Sequence, residues 1–356
     1  MKKITRLVLM LFAFGFLFNA CSTDVDLYAD YKDITVVYGM LDALHDTNYI
    51  KINKAFLGPG NALIIAKIED SCNYPGKLDV KLKEYRANAS GNTFSPTNRV
   101  LQLDTITIHN KSMDGYFYAP LQKVYYTKEP INNNNEQYKY QYELIIDRGD
   151  TILTSRTNIV STRGVSDIST AVLNCANNVE NGTLLWYPFT NAEVYEVMIK
   201  FYYKEVKNSD TVDREVNWSL GTYLSSNLVT DHGRYVASYK TSMFFSNLAS
   251  YLGSDTLDQS IERIIFNPCV KVSIAAGGEE LYDFISVNSP SSSIVQNTPE
   301  YSNIIGGYGV FSSRTYCEKS MSLSSQTFLD LMKHTNWNFR QGRGLEFFDD
   351  DENNIN

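Results

Sequence analysis

The sequence predicts an all-β protein built as tandem β-sandwiches of the immunoglobulin or fibronectin III-like kind, with one or two short helices in its second half. Three observations carry this. Short segments alternate apolar and polar residues with period two. Turn residues separate them at close spacing. Tyr at 25 and Phe at 18 exceed what a helical bundle of this size would use, and aromatic residues favour sheets.

Taken in order, "DITVVYGML" (33–41) reads as a first strand. In "NYIKINKAF" (48–56), Tyr49 and Lys51 face one way and Ile50 and Ile52 the other, before Gly58, Pro59 and Gly60 break the run. "KLDVKLKEY" puts Leu78, Val80 and Leu82 on one face and Lys77, Asp79, Lys81 and Lys83 on the other, the pattern of a half-buried antiparallel strand. "RVLQLDTITIH" and "KVYYT" extend the series. In "YKYQYELII", Tyr138, Tyr140, Tyr142, Leu144 and Ile146 share a face that reads as core, and "RGDT" (148–151) turns the chain. The polar "STRGVSDIST" (161–170) marks a domain boundary, which gives an N-terminal sandwich over 33–162 and a C-terminal domain over 170–345. An acidic, frayed tail over 346–356 follows.

The segment "GTLLWYPFTNAEVYEVMIKFYYKEV" places Tyr195, Val197, Ile199, Phe201 and Tyr203 on one face of a long strand. It resembles the B and C strands of a fibronectin type III-like domain, and that likeness implies a buried Trp186. "TSMFFSNLASYLG" and "SSQTFLDLMKH" read as helices. Ser242 is a candidate N-cap and Gly253 a C-terminal stop for the first, and Lys333 and His334 fall in the last turn of the second. "CVKVSIAAGG" lies between them as a strand.

The N-terminus carries an address. Lys2, Lys3 and Arg6 precede an apolar run from Leu7 to Phe18 that is shorter than a bilayer-spanning helix, and Asn19, Ala20 and Cys21 close it. This resembles the lipobox of bacterial lipoproteins, with Phe18 standing where the pattern usually has Leu. The resemblance implies a signal peptide over 1–20, a lipidated Cys21 carrying palmitate-type chains, and a tether over 21–32. Several acyl chains together hold a protein to a membrane, each buried methylene contributing about 0.8 kcal/mol. Ser22, Asp24 and Asp26 resemble the acidic export signal of Bacteroidota surface lipoproteins, which implies exposure on the outer membrane. Losing three positive charges with the leader takes the net charge from −8 to −11. So acidic a body argues against nucleic acid as a partner.

Cys72, Cys175, Cys269 and Cys317 remain, with no CxxC among them. They are read either as two disulfides, with Cys269–Cys317 the first pair to test, or as four buried thiols. The four histidines lie far apart, so no metal site is expected. No cofactor is expected either. Gly306, Gly307 and Gly309 in "NIIGGYGVFSSR" lack the spacing of a phosphate loop and read as a tight turn or bulge. No G-x-S-x-G occurs and no catalytic residue is assigned, so a non-enzyme is expected. Tyr202, beside Lys200 and Lys204, is the more exposed of the aromatic candidates for stacking on a sugar. Thr105, Thr151, Thr211 and Thr256 each follow Asp and precede an aliphatic residue, which resembles the O-glycosylation sequon of exported Bacteroidota proteins. An intact mass of the protein from its native host reads that modification directly.

The lipobox, "WYPFTNAEVYEV" and "PEYSNIIGGYGVFSSR" together resemble a family of Bacteroidota outer-membrane lipoproteins, domain of unknown function 4249. That resemblance implies a partner role beside TonB-dependent outer-membrane transporters, with capture of a glycan or peptide ligand. The alternative expectation is a structural or adhesive, pilus-associated subunit, which would exchange strands through an exposed sheet edge.

Overall fold

Alternation in the sequence becomes alternation in burial. In a computed structural model, residues 32–342 are described apart from 58–60, 92, 110, 112–113, 119, 254–257 and 289–299. The signal peptide, Cys21, Ser22, Asp24, Asp26, Thr256 and the 346–356 tail therefore lie outside the described residues. The protein is mostly β, at 52% strand and 17% helix, so the all-β class holds. Among the described residues no helix is long and apolar enough to cross a membrane.

The first half holds β1 (Lys32–Leu41), β2 (Asn48–Leu57), two one-turn helices α1 (Ala62–Ile65) and α2 (Glu69–Cys72), then β3 (Asp79–Asn88), β4 (Ser95–Gln102), β5 (Asp104–His109), β6 (Leu121–Thr127), β7 (Tyr138–Asp147) and β8 (Ile152–Asn158). One sheet runs β4-β3-β7-β8, and β1, β2, β6 and β5 lie side by side in another. Val37, Leu41, Ile50 and Ile52 meet Val80, Leu82, Tyr142, Leu144 and Ile146 in the core between them. The "RGD" triplet sits in the β7–β8 hairpin, where Arg148 N donates to Thr151 O at 3.0 Å and Gly149 takes φ +90°.

The second half continues with β9 (Val172–Leu173), β10 (Asn181–Trp186), β11 (Val194–Lys207), β12 (Asp210–Leu224), β13 (Val229–Asp231), β14 (Arg234–Lys240), α3 (Ser242–Leu252), β15 (Glu262–Ile265), β16 (Val270–Gly277), α4 (Glu279–Asn288), β17 (Tyr308–Leu323), α5 (Ser325–Lys333) and β18 (Phe339–Gln341). The small sheet β10-β14-β13 and helices α3 and α5 contribute to a second core around Tyr195, Phe201, Leu248, Val272 and Leu331. Trp186 is fully buried there, with its ring centroid 5.8 Å from that of Tyr195. Thr241 rather than Ser242 precedes the first turn of α3, whereas Ser324 caps α5 by accepting from Thr327 N.

The two halves are not separate sheets. β17 pairs parallel with β1 from Val36↔Tyr308 to Leu41↔Ser313, then antiparallel with β16 from Gly277↔Arg314 to Val270↔Met321. One 11-stranded sheet therefore runs through both sandwiches. The expected division at 161–170 falls between β8 and β9, but Ile304 and Phe311 belong to the first core, so 170–345 is not a self-contained unit.

The disulfide expectation is overturned. Cys72, Cys175, Cys269 and Cys317 are free and buried. Cys317 faces Ile274 across the β16–β17 register, five positions from Cys269. At about 3.3 Å per residue that is roughly 16 Å, far beyond the ~7 Å Cα separation a disulfide tolerates. Burial pushes both thiols up to about 12.

The glycine run makes the entry to β17 possible. Gly306 has φ +85° and Gly309 φ +113°. A Cβ on Gly309 would stand 2.0 Å from Val37 O in β1. Gly149 also has positive φ but nothing within 4 Å. Gly149→Ala should cost about 1–2 kcal/mol of backbone strain alone. Gly309→Ala adds a backbone collision on the β1 pairing and should cost clearly more. Urea denaturation of both variants checks this, and equal losses would contradict the close approach.

Candidate functional site

The offset in β17 opens a cleft. β1 ends at Leu41, and Asp42 starts the turn into β2. That turn is locked locally. Asp42 N donates to Asn48 Oδ1 at 2.6 Å, Asn48 Nδ2 donates to Asp42 O at 3.1 Å, and Leu44 N donates to Asp42 Oδ1 at 3.0 Å. The second carboxylate oxygen faces the cleft, 2.9 Å from His45 Nδ1 and 3.6 Å from Arg314 Nε. Arg314 is the first β17 residue past the β1 pairing, which is why two residues 272 positions apart meet. Tyr316, two residues on, holds its ring 5.8 Å from that of His45.

Glu196 of β11 and Thr222 of β12 share the sheet face of Tyr316 through the pairs Glu196↔Thr222, Glu196↔Ala275 and Ala275↔Tyr316, Ser273 of β16 also lines the cleft, and Leu281 and Ile285 of α4 supply an apolar side. The cleft has a volume of about 440 Å³. That lies within the range of small-molecule sites, which favour junctions between domains. Asp42 is buried, while Arg314 and Tyr316 are exposed. A buried carboxylate thus orients two partners that keep a free side. Arg314 can take a carboxylate or carbonyl oxygen, and the Tyr316 face suits a flat or sugar-like group.

Helix α4 is held against the sheet from both ends. Gly278 N donates to Ser313 O at 3.0 Å, and the Phe284 ring meets Tyr38 of β1 edge-on at 6.3 Å. Its Glu280 carboxylate accepts from Ser312 Oγ at 2.8 Å and from Thr157 Oγ1 at 3.0 Å. Burial nevertheless dominates and raises the Glu280 pKa above its ordinary 4.5.

The residues singled out from sequence do not converge on this cleft. Thr105 is half-buried on β5, Thr151 is exposed in the β7–β8 turn, and Thr211 is exposed beside the β11–β12 turn. Tyr140 is core, and Tyr138 lies under the Arg86 guanidinium, 4.4 Å from its carbon to the ring centroid. Tyr202 is only half-buried. The cleft residues Asp42, His45, Arg314 and Tyr316 carry no local motif, and only the β1–β17 pairing could have revealed them.

No family model matches the chain, and no curated protein matches it. Among solved structures it is similar to one described as CBD12 from CALX1.2, at 7% identity over 78% of this chain and 98% of that one, with a TM-score of 0.14. A likeness that slight bears on neither fold nor function.

The Glu280 shift has a definite sign. A carboxyl whose pKa is raised in the folded state costs stability once both folded and unfolded forms are ionised, and that cost shrinks as pH falls through the folded value and is gone below the unfolded one. Glu280→Gln should therefore raise the denaturation midpoint at pH 7. The advantage should shrink as pH falls through the folded-state pKa and vanish below about 4.5. Urea melts at pH 4 and pH 7 check it, and an unchanged or lowered midpoint at pH 7 would contradict the burial argument.

Proposed function

We propose that this chain is a cell-surface lipoprotein of the bacterial outer membrane, tethered through Cys21, that captures a ligand in the Asp42–His45–Arg314–Tyr316 cleft. It would hand that ligand to a TonB-dependent transporter. The cleft is the observation that carries the reading. It combines an oriented arginine, an accessible aromatic face and an apolar wall, the composition of a site for a peptide or glycan. The leader and Cys21 support the address, because acyl chains on one residue would leave the folded body free to face outward.

One feature favours a structural or adhesive subunit as a second reading. β5 lies at one end of the long sheet, and its Ile106 and Ile108 are 47% and 43% exposed. An apolar edge strand of this kind can accept a strand from another chain.

A glycan and peptide array probed with the lipidated protein separates the two. The capture reading expects a ligand whose binding falls about tenfold or more in Arg314→Ala, the loss expected for a charge-assisted hydrogen bond. The variant should keep its thermal midpoint. Silence across the array, with binding instead to a β-strand donor peptide that pairs with β5, would favour the adhesive reading. The anchor has its own measurement: labelled palmitate should enter the wild-type chain and not Cys21→Ser.

A further inference from the structure

Tyr38, whose ring meets α4, also borders a second cleft of about 440 Å³ on the outward face of β1 and β2. Its floor is set by strand register. Tyr38↔Lys51 and Val36↔Asn53 put these side chains on one face of β1 and β2. Gln122 of β6 joins them, and Lys111 and Phe117 of the β5–β6 loop close over it.

The floor is a chain of oriented amides. Asn53 Nδ2 donates to Cys72 O at 3.0 Å and to Asn73 Oδ1 at 2.9 Å. Its oxygen accepts from Gln122 Nε2 at 3.2 Å, and the Gln122 oxygen accepts from Lys111 Nζ at 3.0 Å. Lys51 is half-buried beside them. Neither Lys51 nor Lys111 has a carboxylate partner within ion-pair distance among the described residues. The neighbouring cation is different: Lys54 faces Asp33 at 4.0 Å and the Tyr74 ring at 5.5 Å. The nearby acid is also engaged, since Tyr118 OH donates to Glu69 Oε2 at 3.0 Å.

Three lysines thus line the cleft, and among the described residues only Lys54 has a carboxylate within ion-pair distance, which leaves Lys51 and Lys111 without one in a chain whose net charge is −8. Burial and the Lys111 charge both lower the Lys51 pKa, the direction expected when two like charges are held together. Stability alone does not call for that arrangement, whereas a compact oxyanion would relieve both the repulsion and the desolvation. Lysines are point charges without the bidentate fork that suits a carboxylate, so a tetrahedral oxyanion fits them better. The exposed Phe117 ring and half-exposed Tyr38 ring offer an apolar seat beside the charges.

We propose that this cleft binds a small phosphate or sulfate ester, its oxyanion between Lys51 and Lys111 and its flat apolar body against Tyr38 and Phe117. The site is distinct from the Asp42–Arg314 cleft and stands or falls independently of it.

Titration calorimetry of the full chain with phenyl phosphate, phenyl sulfate and phenol tests this. Saturable one-to-one binding of at least one ester is expected, with none for phenol. The tighter ester names the anion. Affinity should fall as salt is raised. Lys51→Met and Lys111→Met should each weaken binding about tenfold or more, as loss of a charge-assisted contact does. Arg314→Ala should leave it unchanged. Because the two lysines repel each other, both variants should melt at or above the wild-type temperature. Failure of the wild type to bind either ester would overturn the proposal, as would equal affinity for phenol or undiminished affinity in the folded double variant. Should the double variant not fold, loss of binding in either folded single variant supports the site, and retention in both overturns it.

Discussion

Everything in this architecture depends on the way β17 is shared. Six of its residues pair with β1 and eight with β16, on opposite edges and without overlap. Residues 308–313 and 314–321 therefore each have one ladder and one free edge, while Ser322 and Leu323 pair with β9. Buried backbone groups must find partners, so the free edges have to be covered. Ser313 O accepts from Gly278 N, and Phe311 exchanges hydrogen bonds with the side chain of Asn303. The Ser313 hydroxyl donates to Leu41 O and accepts from Val160 N, tying the inter-sandwich linker to the same point. The junction is thus a hydrogen-bonded splice rather than a flexible connection. The cleft beside it is a geometric consequence, because the offset leaves Arg314 and Tyr316 unpaired on the β1 side, next to the turn that carries Asp42 and His45.

Strands were legible in the sequence where one face is core and the other is wet. Tyr195, Val197, Ile199, Phe201 and Tyr203 alternate cleanly and are buried cleanly. The helices α3 and α5 were legible for the same reason at period 3.6. Helix α4 was not: it begins directly after the strand residues Ala275–Gly277, carries two glutamates in its first turn and fully buries none of its side chains. Polar burial was equally hidden. Glu84 continues the inward face of Val80 and Leu82, but a hydrophobic pattern does not count a carboxylate as core. It is buried with Tyr142 OH at 2.6 Å and Asn132 Nδ2 at 2.7 Å donating to its carboxylate. Likewise Arg263 is fully buried against Glu205, which also holds Arg214. A charged letter in a strand does not announce that its partner is already waiting in the core.

The candidate clefts were less legible than the fold because their groups come together only through long-range pairing. The Asp42–Arg314 contact depends on the parallel β1–β17 register, and parallel pairs leave no hairpin signature. The Lys51–Lys111 pair depends on a loop folding back over its own sheet. By contrast, the glycines near 306–309 read correctly as backbone devices, since positive φ and close approach are properties of the residue type itself.

The shared strand can be tested by its cooperativity. All three tryptophans, Trp186, Trp218 and Trp337, belong to the second core, so their fluorescence reports on that sandwich alone. Hydrogen exchange of the β3 and β7 amides reports on the first. If β17 binds the two cores into one unit, both signals should change at the same urea concentration in one transition. Two separated transitions, with the first sandwich protected after tryptophan fluorescence is lost or the reverse, would contradict the splice.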